Sequence, residues 1–110
     1  MINEKIFREY DIRGVADRDL KDELVNELGR AIGTFIKARG GQTITLGRDC
    51  RKSSERIRAA ITQGLLSTGL NITDIGLVPT PLLYYSVFEL KADGGIMITG
   101  SHNPPEHNGF

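Results

Sequence analysis

The sequence has no surplus of charge, almost no cysteine and no long apolar run. Its 14 Lys and Arg are matched by 14 Asp and Glu, so the formal net charge is zero. A nucleic-acid-binding chain normally shows a basic excess, and none is expected to bind here. No apolar stretch approaches the roughly 18 residues of a membrane span. The opening MINEKIFREYD is charged where a signal peptide would be apolar. The single cysteine, Cys50, cannot form an internal disulfide, and a reducing, cytoplasmic setting is the simplest expectation. No repeat, low-complexity tract or linker interrupts the 110 residues, which suffice for one small domain with a modest core.

What is present is an alternation of helix-period segments with short β-type runs. Leu20, Leu24, Val25, Leu28, Ala31, Ile32, Phe35 and Ile36 recur at spacings that keep one helical face apolar, predicting a helix from about Leu20 to Arg39. Asp19 is its expected N-cap, and Gly40-Gly41 lies just past its basic end. Thr43 to Leu46 reads as a strand. Ser53 or Ser54 then caps a helix whose apolar stripe is Ile57, Ala60, Ile61, Gly64 and Leu65, with Gly69 as its stop. A second strand lies within Asn71 to Val78. Thr80-Pro81 opens a short helix running to about Leu90. Gly94 to Thr99 is a third strand, and GSHNPPEHNGF reads as loop until its last two residues.

This order predicts an α/β fold, a three-layer α/β/α sandwich on a mixed, mainly parallel sheet. In such sheets, ligands bind beside the loops that leave the carboxyl ends of the strands. Three loops qualify: Gly47 to Arg51, Val78 to Pro81, and Thr99 to Pro105. The third is the richest in functional groups. Ser101 offers a hydroxyl, Gly100 admits close backbone approach, and Pro104-Pro105 stiffens the end of the loop. The sequence has no G-x-S-x-G elbow and no P-loop. His102, Glu106 and His107 lack the thiol cluster or helical spacing of a zinc site. On the residues alone, the loop reads first as a hydrogen-bonded turn, with a nucleophile as the alternative.

Four ordered motifs change that weighting. FREYDIRG (Phe7 to Gly14), GRDCRKSS (Gly47 to Ser54), VPTP (Val78 to Pro81) and TGSHNPPEHNGF (Thr99 to Phe110) together resemble the α-D-phosphohexomutases. YDIRG and the serine loop look more like the phosphomannomutase/phosphoglucomutase branch than the phosphoglucosamine mutase branch. The resemblance implies that Ser101 carries a phosphoryl group and passes it to a hexose phosphate. A 1,6-bisphosphate of glucose or mannose then forms as intermediate and returns its other phosphate to the serine. Mg²⁺ is expected on the Ser101 phosphate, with its remaining ligands in another domain. His102 is expected to handle a proton or to bond sugar or phosphate. Tyr10, Arg13 and Asn103 are expected to contact phosphate or substrate. A planar guanidinium suits that task.

Arg48, Asp49 and Arg51 are expected to brace the serine loop. Cys50 reads as a small filler. His107 departs from the family pattern, in which Tyr is common there. The family's motif continues NGFK, and the resemblance leads us to expect that residues 1–110 are a first, N-terminal domain truncated just after the serine loop, without the later domains. That chain is expected to be inactive by itself and to self-associate through an exposed sheet edge. The rival readings are another sugar phosphomutase, including phosphoglucosamine mutase, and a non-catalytic sugar-phosphate-binding domain.

Overall fold

Ile44 and Leu46 are fully buried, and they alternate with Thr45 and Gly47, which are also buried. A strand apolar on one side and small on the other must be covered on both faces. The computed structural model, which describes residues 6, 12–100 and 103–110, shows this arrangement. The elements run β1 (Arg13–Val15), α1 (Ala16–Asp19), α2 (Asp22–Ala38), β2 (Thr43–Arg48), α3 (Ser54–Leu66), β3 (Asn71–Leu77), α4 (Thr80–Glu89), β4 (Gly94–Ile98) and β5 (His107–Gly109). β2 is the centre of a three-stranded sheet of order β3-β2-β4, with both neighbours parallel to it.

The first crossover, through α3, steps from β2 to β3. The second, through α4, steps back past β2 to β4. Right-handed crossovers running in opposite directions put their helices on opposite faces. On one face, Val25 and Leu28 of α2 and Ile57, Ile61 and Leu65 of α3 join Ile44, Leu46 and Ile98 in one core. On the other, the Ser86 hydroxyl of α4 is hydrogen-bonded to the Thr45 hydroxyl at 3.0 Å. The layers are therefore α/β/α, as expected. The antiparallel part is a separate ladder, in which β1 pairs with β5.

Several local expectations need correction. The long helix begins at Asp22, behind the separate short helix α1, and its N-cap is Lys21. Asp19 ends α1 instead and accepts the Val15 N–H at 3.0 Å. Phe35 is off the buried face, 56% exposed, with the Arg39 guanidinium 3.8 Å above its ring. The buried face of α2 includes Gly29 and Gly33. A Cβ on Gly29 would stand 2.7 Å from the Ile61 carbonyl oxygen, and one on Gly64 would strike the Asn26 carbonyl. The two helix backbones thus approach closely because both glycines lack side chains.

Ser53 occupies the N-cap of α3 without a capping side-chain bond, and Pro79, not Thr80, precedes α4. The end of the chain is more regular than the expected loop. His107–Gly109 forms β5, in a ladder apart from the main sheet. Among the described residues, no helix is long and apolar enough to cross a membrane.

Candidate phosphoryl-transfer site

α3 and α4 leave β2 and β3 toward opposite faces, which opens a crevice at the carboxyl ends of the strands. A cleft of about 1030 Å³ lies there, lined by Asp49, Arg51 and Ser53 after β2, Val78 to Thr80 after β3, and Thr99, Asn103 and Glu106. All three expected loops meet at this edge.

Asp49 is the hub. Its Oδ1 accepts from the Arg51 N–H at 3.1 Å and from the Ser54 hydroxyl at 2.6 Å. Its Oδ2 accepts from the Thr99 hydroxyl at 3.0 Å, the Gly100 N–H at 3.1 Å and Arg51 Nε at 3.1 Å. Burial pushes the Asp49 carboxyl up, but the bonds from Ser54, Arg51, Gly100 and Thr99 outweigh it and hold the group below its ordinary range.

Arg51 completes the clamp from the other side. Its Nη1 donates to the carbonyls of Pro104 at 2.5 Å and His107 at 3.2 Å, and its Nη2 to that of Asn103 at 2.8 Å. The guanidinium lies against the Gly100 backbone, and a Cβ on Gly100 would fall on it. One carboxylate and one guanidinium thereby tie residues 99, 100, 103, 104 and 107 to the end of β2.

Arg13 comes to the same place by a different route. β1 pairs with β5 in the register Arg13↔Gly109, and Arg13 Nη1 donates to Asn103 Oδ1 at 2.9 Å. Arg48 does not join the clamp. It ion-pairs with Glu55 at 3.4 Å and Asp74 at 3.7 Å, in a surface network that Arg58 shares. Cys50 is exposed, which overturns its reading as a small filler. His107 has a buried Nδ1 with no hydrogen-bond partner among the described residues. Ser101, His102 and Tyr10 lie outside the described residues.

Sequence reasoning missed Asn108 and the use of Ser54. Asn108 is fully buried, and its Nδ2 donates to the hydroxyls of Ser53 and Ser54, both at 2.9 Å. Nothing in NGF marks that asparagine from composition or period. Ser54 reads in sequence as a helix cap because it is a serine at the start of a helical pattern; it is the first residue of α3.

The model of the phosphoglucomutase/phosphomannomutase α/β/α domain I matches residues 4–110. A phosphomannomutase/phosphoglucomutase of Pseudomonas aeruginosa is 48% identical over 105 residues, covering 96% of this chain and 23% of that protein. A Thermococcus gammatolerans protein named as a probable phosphoglucosamine mutase is 44% identical over 106 residues, covering 96% of this chain and 23% of its own. A crystal structure of a phosphoglucomutase/phosphomannomutase family protein from Burkholderia thailandensis superposes with a TM-score of 0.90 at 37% identity, covering all of this chain and 26% of that one. The chain thus spans about a quarter of the length of these relatives. With the α/β/α layering and the clamped loop already described, the match places this chain in the phosphoglucomutase/phosphomannomutase family, as its domain I.

Proposed function

We propose that these residues form the phosphoserine-bearing domain of a mutase that interconverts hexose 1- and 6-phosphates. The observation that carries the reading is the clamp: Asp49 and Arg51 grip the loop on both sides of Ser101 at the cleft edge. Phosphoryl transfer asks chiefly for positioning and for fixed charge around the moving group. A loop tied to those two side chains through Thr99, Gly100, Asn103, Pro104 and His107 meets the first demand.

In the proposed step, the bond between Ser101 Oγ and phosphorus breaks as a sugar hydroxyl oxygen bonds to phosphorus. The hydroxyl loses its proton to His102, the role that the resemblance of the serine loop suggests for this residue. The resulting 1,6-bisphosphate turns over. The Ser101 oxygen freed at the first step bonds to the other phosphorus, the bond from that phosphorus to the sugar oxygen breaks, and that oxygen takes back the proton removed at the first step. Arg13, beside Asn103, and Tyr10 bind phosphate or substrate. Glucose and mannose phosphates are the substrates proposed from the YDIRG and serine-loop motifs. Glucosamine phosphate is the second reading, favoured by the name of one 44% identical relative.

The described residues do not by themselves fit a Mg²⁺ ion. No group of three His, Cys, Asp or Glu lies together among them, and both Asp49 oxygens are occupied by donors. Mg²⁺ is therefore proposed only on the Ser101 phosphate, with its other ligands in a further domain, and no step is derived through it.

The test joins these residues to the rest of the P. aeruginosa relative, in place of its own matching quarter. Incubation with labelled glucose 1,6-bisphosphate should leave phosphate on the Ser101 peptide. Ser101→Ala should abolish the label and lower mutase turnover by about 10³-fold or more. Label on another residue would overturn the reading. The 110 residues alone should give only background turnover in the same assay.

A further inference from the structure

We propose that Asn108 is a positioning residue, which sets the place of the serine loop through Ser54 and Asp49. The proposal deepens the reading above and rests on it for the loop's purpose. Asn108 is fully buried, and Ser54 is 1% exposed, so neither can trade these bonds for water. The Oδ1 of Asn108 is taken by the Gly109 N–H at 2.9 Å. That bond fixes which end of the amide faces α3. Its Nδ2, which can only donate, reaches the hydroxyls of Ser53 and Ser54.

Ser54 therefore accepts from Asn108 and spends its single proton on Asp49 Oδ1, at 2.6 Å. Asp49, acceptor on both oxygens, is left to take the Gly100 N–H and the Thr99 hydroxyl. Amide, hydroxyl and carboxylate form a chain with one direction, running from β5 to the residue before Ser101. The direction matters more than the packing. Asn108→Asp keeps the shape but replaces the donor with an acceptor. Ser54 then faces carboxylates on both sides with one proton between them.

Amide hydrogen exchange on the 110-residue chain reads this directly, with the β2 amides as the internal control for folding. Asn108→Asp should speed exchange at the Gly100 and Arg51 amides by about tenfold or more relative to β2. Ser54→Ala should do the same without touching Asn108, and it guards against a first variant that fails to fold. In the Ser54→Ala background, Asn108→Asp should add little further loss, because both act along one path. Two results overturn the proposal. One is an increase shared equally by β2 and the loop amides, which marks a merely structural residue. The other is a full, additive effect of Asn108→Asp when Ser54 is already absent. The readout does not use Ser101 chemistry, so its failure is distinct from failure of the phosphoryl-transfer reading.

Discussion

Two arginines three residues apart show how little residue type says about role. Arg48 ends β2 and faces Glu55 and Asp74, whose side chains are 60% and 36% exposed. Exposed pairs of this kind contribute little. Arg51 stands beyond the Asp49 turn with only 13% of its side chain exposed, and it satisfies three carbonyls and a carboxylate. Hydrogen bonds from a charged group are the stronger kind, and Arg51 makes several of them at a part-buried site. Arg51→Ala should therefore lower stability by about 2–3 kcal/mol, and Arg48→Ala by less than about 1 kcal/mol. Urea denaturation of both variants checks the contrast, and equal losses would refute it. In sequence the two read alike, as braces inside GRDCR. The strand's end and the turn after it separate them, and neither leaves a trace in residue type. Asp49 reads in sequence as the same kind of brace after the first strand, and it does bond the loop, through Thr99 and Gly100.

At the level of elements, the long periodic segments are readable and the short ones are not. The apolar stripe of α3, Ile57, Ala60, Ile61, Gly64 and Leu65, is buried as its spacing predicts. β1 and β5 have three residues each, too few to carry a period, and their pairing joins chain positions far apart. The buried face of α2 is legible only in part, because its contact with α3 is made through glycines that a hydrophobic count ignores. Two carboxylates tie elements together and titrate accordingly. Asp93 accepts from the N–H groups of Gln42 and Thr43 at the start of β2, and those bonds hold its carboxyl low. Asp49 is held low as well. A carboxyl lowered in the folded chain stabilises it above the unfolded-state value and ceases to do so as pH falls through the folded value. Stability should thus be level near neutrality and decline below about pH 4. The Gly100 amide should lose exchange protection in that window before the β2 amides do. Protection that persists equally at both would count against Asp49 as the hub.

For the molecule as a whole, the outer surface of α4 stands out. Tyr84, Tyr85 and Phe88 are 65%, 59% and 83% exposed, and Leu77 at the end of the neighbouring β3 is 61% exposed. Apolar surface of this kind commonly marks contact with another protein surface. β3 is also an edge strand of the main sheet, with one side unpaired among the described strands. The 110-residue chain is accordingly proposed to self-associate. Sedimentation equilibrium over a wide concentration range should show average mass rising with concentration. A single 12.1 kDa species throughout would refute it.

The clamp also sets a timetable. Its bonds from Asp49 and Arg51 to the loop close chain separations of 50 to 56 residues. Every such closure loses chain entropy before any contact repays it. β2 pairs with β4 across the same stretch of chain, and Thr99 and Gly100 directly follow β4, so the grip on Gly100 is expected to form with or after that pairing. A partly refolded chain would hold all of the motif residues and still lack the clamp that fixes Thr99 and Gly100 at the cleft. In pulse-labelled refolding, the Gly100 amide should gain protection with or after the amides of β4, never before them.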